Sequence, residues 1–482
     1  MRFLLKDVLI QRFVAGGGLG AVKLATGLVR VKILAVILGA AGIGVLAQAA
    51  QFTLVAIALT SVSMAVGIIN RTRSEAIRAN SSAQRLTLGT ALISLFVLIV
   101  LYLLLAISNR LTVATLVFRG TLSEAQLFPI ILGVPFAVIA SGYIEGLFYS
   151  RDRFDLYVKA GAVASLADLV LYSCGAWLGG VVGATVAVGV SSVALLASYL
   201  FFLRRIGEEW STLFPLNFHW REALALLRYG AVMLCTAALG YLSVLYVRAE
   251  ILGQYGPRAN GLLQVALALS AYSVPFVTNG VWGYLHPLAS RLGDTPETRS
   301  ELLRVLRMVI LLSSFGSIAV LSFPEVLIGL AYTADFAESA TYFPTEFLGD
   351  YFYFFAFTVG VFFLATSKLR IYLIGWIAYY SMYLASVRFL LPHFGARAPT
   401  VGHCIASCVL AMVSILWLVT QVRIRLRDLT LFFVGGAVVL VAATMLYLGL
   451  FIWTRIAILA VPVVGYCVLA VRTEGAVRAG SR

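Results

Sequence analysis

Six of the 36 Lys and Arg residues stand inside or at the ends of long apolar runs: Lys23, Arg30, Lys32, Arg228, Arg248 and Arg388. A cation in the middle of a bilayer is costly, and it is tolerated where it pairs or lines a wet passage. Such a passage attracts anions. Arginine and lysine are the usual partners of phosphate groups. The chemistry these residues suggest is the holding of an anionic group, with no bond made or broken. The acidic residues in the same runs are read as Glu145, Asp168 and Glu250. Arg228 and Glu145 fall near run ends, where a long side chain reaches the interface.

The first run concentrates the signal. Gly16, Gly20, Lys23, Gly27 and Arg30 recur at alternating spacings of four and three, so a helix places them on one stripe. Glycine beside a cation is unsuited to lipid tails and suits a close-packed or water-lined face. Lys23 falls near mid-membrane and Arg30 about 10 Å further out, at 1.5 Å rise per residue. Arg248 and Arg388 fall near the outer ends of their runs and complete the expected set of cavity cations, Lys23, Arg30, Arg248 and Arg388. Asp168 and Glu250 are candidates for ion coupling or for pairing with these cations, Asp168 with Lys23 in particular. Gln48, Gln264 and Asn279 are polar enough to line a cavity, and amides also join helices; with Gly16, Gly20 and Gly27 they form the expected lining or hinge set.

The elements that position these residues are membrane spans. Hydrophobic residues make up 61% of the 482, charged residues only 12%, and the mean hydropathy is +0.97. A soluble chain would carry about twice that charged fraction. Fourteen apolar segments are each long enough to cross about 30 Å of hydrocarbon as a helix. They run near 13–38, 45–69, 86–107, 126–149, 158–178, 181–203, 229–252, 258–285, 303–324, 343–366, 370–391, 400–421, 429–449 and 454–472. The short alternating segments of a membrane β-barrel are absent. With the N-terminus inside, 25 Lys and Arg fall in inner segments and five in outer ones, which predicts cytoplasmic N- and C-termini. The expected fold is all-α and polytopic: two six-helix lobes around a central cavity, residues 1–205 and 206–425, then two further helices and a tail over 426–482.

Several functions are set aside. The net charge of +15 is spread over short loops, so it reads as topology and not as a nucleic-acid surface. No hydrophilic stretch exceeds about twenty residues and no phosphate-binding loop of the GxxxxGK[ST] form occurs, so no soluble catalytic domain, enzyme activity or cofactor is expected. "MRFLLKDVLIQRF" lacks the continuous apolar core of a cleavable signal peptide. Cys174, Cys235, Cys404, Cys408 and Cys467 lie in or beside apolar runs and are read as packing residues. His219, His286, His393 and His403 are scattered, and no paired-carboxylate or metal constellation is expected.

An internal repeat joins the two halves. "LGAAGIGVLAQ" from Leu38 and "LGQYGPRANGLLQ" from Leu252 both read Leu-Gly-x-x-Gly, a gap, then Leu-x-Gln, with two extra residues in the second gap. The basic first span ending in "KILAVILGAAGIGVLAQ", the next span closing at Asn70 before a basic loop, and "GLFYSRDRF" at Gly146–Phe154 resemble polysaccharide (O-antigen type) flippases of the multidrug/oligosaccharidyl-lipid/polysaccharide exporter superfamily. The resemblance is strongest over about the first 160 residues. It implies export of a polyprenyl-diphosphate-linked oligosaccharide across a bacterial inner membrane, by rocking of the lobes. It also implies work beside a polysaccharide polymerase and chain-length machinery. The expected partners are thus the lipid-linked oligosaccharide and the phospholipid bilayer. A lipid II flippase and an ion-coupled multidrug antiporter belong to the same superfamily; a membrane polysaccharide polymerase is the enzyme alternative.

Overall fold

The computed structural model describes residues 8–73, 81–151 and 153–480, and side chains between Leu24 and Val471 apart from some positions in that range. Lys23, Asn279, Gly16 and Gly20 therefore lie outside the residues whose side chains are described. Among the described residues the secondary structure is helical, without strands. That follows from the composition: a long apolar run in hydrocarbon must satisfy its backbone groups within itself.

The principal helices are α1 (Val8–Ser61), α2 (Met64–Arg73), α3 (Ser81–Ser108), α4 (Glu124–Ile139), α5 (Phe154–Leu203), α6 (Trp220–Gly280), α7 (Pro296–Ser322), α8 (Phe343–Ala365), α9 (Leu369–Phe394), α10 (Ala398–Trp417), α11 (Thr430–Tyr447) and α12 (Ile452–Gly480). Ten continuous helical stretches among the described residues are long and apolar enough to cross a membrane, and four of them run for 39 to 54 residues. The longest helices are broken internally at glycine: α1 at Gly39 (φ 63°), α5 at Gly179 and Gly180 (φ 55° at the latter), α6 at Gly256 (φ 80°). A positive φ is open to glycine at little cost, which is why these breaks fall where they do. Large apolar side chains remain on the surface, among them Val36, Phe96, Trp177, Phe389 and Trp453, each at least 65% exposed. Such a surface suits lipid and not water.

The chain divides into two compact units, Ala21–Gly261 and Leu262–Arg482 with the described part of the first twenty residues. The division by span count places a boundary after residue 205, whereas the packing joins the first half of α6 to the helices before it. In the first unit, α6 runs antiparallel along the end of α1 and along α2. Gln51 Nε2 donates to Tyr241 O at 3.0 Å, a Cβ on Gly230 would stand 2.1 Å from Val62 O, and Gly67 lies against Leu226 O. Arg71 closes the far end with two hydrogen bonds to Glu222, at 2.9 and 2.5 Å, and Thr87 adds a third at 2.9 Å. Burial alone would raise the Glu222 carboxyl, but Arg71 and Thr87 hold it below the usual glutamate range. The apolar core of this unit gathers Leu88, Val134, Tyr143, Phe148, Leu203 and Leu226, with the Tyr143 hydroxyl donating to Leu213 O at 2.6 Å.

The second unit is built around α8, which packs on α7, α10 and α11. Tyr351 stacks on Phe432 and donates to its carbonyl at 2.6 Å, while Ser314 meets the Tyr466 hydroxyl at 3.0 Å. Arg455 is only 2% exposed, pairs with Glu325 at 2.7 Å and donates to Leu321 O at 3.3 Å.

The sequence repeat is real in the fold but not in the gapped alignment. Gly39 and Gly256 each break their helix at a positive φ, one in each copy of the repeat. A Cβ on Gly44 would lie 1.9 Å from Pro257 O, and one on Gly261 would lie 1.8 Å from Ala40 O. Gly39 thus matches Gly256, Ala40 matches Pro257 and Gly44 matches Gly261 with no insertion. The alignment that matched Gly39 to Gly253 is corrected by this contact. Each copy's glycine makes room for the carbonyl that follows the other copy's break, the close approach that small residues permit between membrane helices.

Candidate functional site

Arg30 lies on α1 beside buried Gly27 and Leu34, while Val29 and Val36, about 100° or more around the helix, are 50% and 65% exposed. The helix therefore turns its arginine toward neighbouring helices and its valines outward. Arg30 Nη1 stands 3.6 Å from Asp168 Oδ2, and the guanidinium lies 4.9 Å from the centre of the Tyr172 ring. Asp168 and Tyr172 are one turn apart on α5, so they share a face. One helix thus offers the cation both a carboxylate and an aromatic face. Arg30 and Asp168 each keep about a third of their side chain exposed, so the pair is within reach of a ligand. The sequence reading paired Asp168 with Lys23; the partner described is Arg30.

Arg248 sits 4% exposed on α6, before the Gly256 break. Its Nη1 donates to Asn260 Oδ1 at 3.2 Å, and Asn260 Nδ2 donates to Gly44 O at 2.7 Å. Arg248 therefore helps tie α6, across its own break, to the glycine crossing with α1. Glu250, two residues on, points elsewhere, as helical spacing requires. It pairs with Arg119 and accepts from Gln254 Nε2 at 3.0 Å. Arg119 also donates to Ala249 O at 3.3 Å. An open cleft of about 650 Å³ is lined by Thr115, Arg119, Gly120, Glu250, Gly253 and Gln254.

Gln48 is fully buried, with Nε2 donating to Val117 O at 2.9 Å and Leu245 O at 3.5 Å. It acts as an amide joining helices, one of the two roles open to it. Gln264 is partly buried on α6, and Arg388 is exposed on α9 beside exposed Phe389. The structure thus brings Arg30 and Asp168 together, and separates Arg248 from Glu250.

Sequence reasoning missed Arg119, which it left in an outer loop, and missed two buried acids. Glu346 and Asp350 on α8 are 3% and 4% exposed, and His403 on α10 stands with its Nε2 3.3 Å from Asp350 Oδ1. The acids inside the apolar runs are therefore not only Glu145, Asp168 and Glu250: Glu346 and Asp350 form a carboxylate pair where none is expected from the sequence. The signal was available: Glu346 and Asp350 are four apart, the spacing that stacks two side chains on one helical face.

No protein-family model matches the chain. It is 22% identical over 382 residues to the lipid III flippase of Escherichia coli (strain K12), covering 78% of this chain and 89% of that protein. The lipid III flippase of Shigella flexneri matches over the same extent. Among solved structures, an inward-facing multidrug resistance MATE family transporter of the MOP superfamily superposes with a TM-score of 0.67 at 15% identity, covering 84% of this chain and 98% of that one. The lipid II flippase MurJ, in an inward closed conformation, superposes with a TM-score of 0.65 at 12% identity over 96% and 99% of the two chains. These likenesses show that the chain shares the fold of these two transporters.

Proposed function

We propose that the protein is a flippase that carries a polyprenyl-diphosphate-linked oligosaccharide, an O-antigen or other surface-polysaccharide unit, across a bacterial inner membrane. The observation that carries this reading is Arg30: an arginine in an apolar helix, turned inward, a third exposed, between a carboxylate and an aromatic ring. A guanidinium so placed can exchange Asp168 for a diphosphate oxygen, since both are anionic acceptors and a phosphate accepts a bidentate fork. Lys23, seven residues before it, would offer a second cation on the same stripe. Arg388, exposed on α9, would be a further cation for the anionic head. Arg248 and Arg119 are engaged at the crossing and the cleft, so their part is to set the helix geometry around the path.

The similarity to lipid III flippases over most of the chain supports a lipid-linked sugar as the substrate. Each of the four longest helical stretches among the described residues is about as long as two crossings, which with the six single ones would give fourteen spans. Helices α11 and α12 are then the pair beyond a twelve-span core. Both termini would lie in the cytoplasm. The flippase would work by alternating access, and would hand its product to a polysaccharide polymerase and chain-length machinery on the outer face.

Reconstituted protein tests the reading. Vesicles holding the purified chain should expose a fluorescent polyprenyl-diphosphate oligosaccharide to the outer leaflet, and the Arg30→Ala protein should do so at least about tenfold more slowly, a rise of roughly 1.4 kcal/mol in the barrier. Equal rates with and without protein would end the proposal. Efflux of cationic dyes with no lipid movement would favour the multidrug alternative, and sugar-polymer formation by the protein alone would favour the polymerase.

A further inference from the structure

The second unit holds a cluster that the flippase reading does not use. Glu346 and Asp350 lie one turn apart on α8, and α10 sets His403 against them. The groups sit in a glycine-made recess: a Cβ on Gly349 would come within 2.5 Å of His403 Cδ2 and 3.0 Å of its Nε2. The Tyr379 hydroxyl meets His403 Nδ1 at 2.7 Å, with Ser407 Oγ at 3.4 Å from the same nitrogen. That fixes which face of the ring turns inward. Nε2 points at the acids, 3.3 Å from Asp350 Oδ1. One ligand atom from each of Glu346, Asp350 and His403 falls within 4.8 Å of the others. Asp350 Oδ2 and His403 Nε2 are buried and find no hydrogen-bond partner.

Two buried carboxylates beside an imidazole need positive charge in a medium of low polarity. A proton shared between Asp350 and His403 would draw them to the 2.7–2.9 Å of a charge-assisted hydrogen bond. The longer separation and the unsatisfied inward atoms fit a cation among the three groups better than a proton between two. A nitrogen donor beside two oxygens departs from the all-oxygen set that calcium and magnesium take, and suits a borderline metal such as zinc. The Tyr379 contact on the outer nitrogen is the support a metal-bound histidine ordinarily has. We propose that Glu346, Asp350 and His403 bind a divalent transition-metal ion of the Zn²⁺ class, which clasps α8 to α10.

The test uses the purified full-length protein in lipid nanodiscs, stripped with a chelator, dialysed and titrated with Zn²⁺. Calorimetry with elemental analysis should find one Zn²⁺ per chain. Affinity should fall on acidification, because the ligands must shed their protons to bind metal. His403→Ala and Asp350→Asn should each weaken binding at least about tenfold, and Tyr379→Phe by about tenfold, because the His403 ring loses the hydroxyl that orients it. Exposed His219→Ala should bind as the parent does. If the ligand variants fail to fold, Tyr379→Phe still decides the matter, since it keeps the ring and all three ligands. No stoichiometric metal, undiminished binding in Tyr379→Phe and the ligand variants, or proton uptake without metal binding would each overturn the assignment.

Discussion

Arg30 is held by contacts that a ligand can replace. Its pairing with Asp168 at 3.6 Å is loose and both partners are about a third exposed, so the pair contributes no more than about 1 kcal/mol to stability. Asp168→Asn should therefore leave the melting temperature nearly unchanged while freeing the guanidinium, and the variant should bind a diphosphate lipid at least as tightly as the parent. A lipid-binding titration beside a thermal melt checks both; a large loss of stability would make the pair structural. Arg248 differs in kind. It is 4% exposed and hydrogen-bonded to Asn260, so Arg248→Ala strands a buried amide and should cost about 1–3 kcal/mol in a melt. The sequence treated both arginines alike, as cations in apolar runs. Run position tells where a side chain sits along the membrane, but not which neighbour it meets, and that difference came only with the packing.

At the scale of elements, the fold rests on glycines that let backbones touch. Gly44→Val would place methyl groups where Pro257 O lies 1.9 Å from the Cβ position, and overpacking of this kind costs about 1–3 kcal/mol. The melting temperature should fall, whereas Gly465→Ala, with nothing within 4 Å, should leave it unchanged. The loops add an electrostatic tie. Asp294, between α6 and α7, accepts from Arg299 at 2.7 Å and from Lys368 at 2.8 Å. The Arg299 hydrogen bond, with Lys368 beside it and burial opposing, holds the Asp294 carboxyl below the usual aspartate range. A carboxyl lowered in the folded state gives stability that is whole above the unfolded value, about 3.9, and is lost as pH falls through the folded one. The gap in melting temperature between the parent and Asp294→Asn should thus hold steady from pH 8 to 5 and close below about pH 4. The helix breaks themselves were legible as Leu-Gly-x-x-Gly in both halves. Their register was not, because a gapped match of common residues scored Gly253 where the backbone turns at Gly256.

At the scale of the whole molecule, the apolar runs foretold an all-helical membrane chain, and the helices lie where those runs lie. Hydropathy averages over a window, and the same averaging hid Glu346 and Asp350 near the start of an otherwise aromatic span. The antiparallel packing of α6 on α2, through Gly230 and Gly67, was also beyond hydropathy. The excess of Lys and Arg in alternate loops predicts both termini in the cytoplasm. A fluorescent protein fused after Arg482 should therefore fluoresce, and alkaline phosphatase at the same place should stay inactive; the reverse pattern would invert the topology and with it the direction of transport. The central claim is that an inward-facing cation recognises an anionic lipid head. Its most direct measurement compares the affinity of the purified protein for polyprenyl diphosphate and for the uncharged polyprenol, in the parent and in Arg30→Ala. The parent should prefer the diphosphate at least about tenfold, and Arg30→Ala should lose most of that preference. Equal affinity for both lipids, or a preference untouched by the substitution, would contradict it.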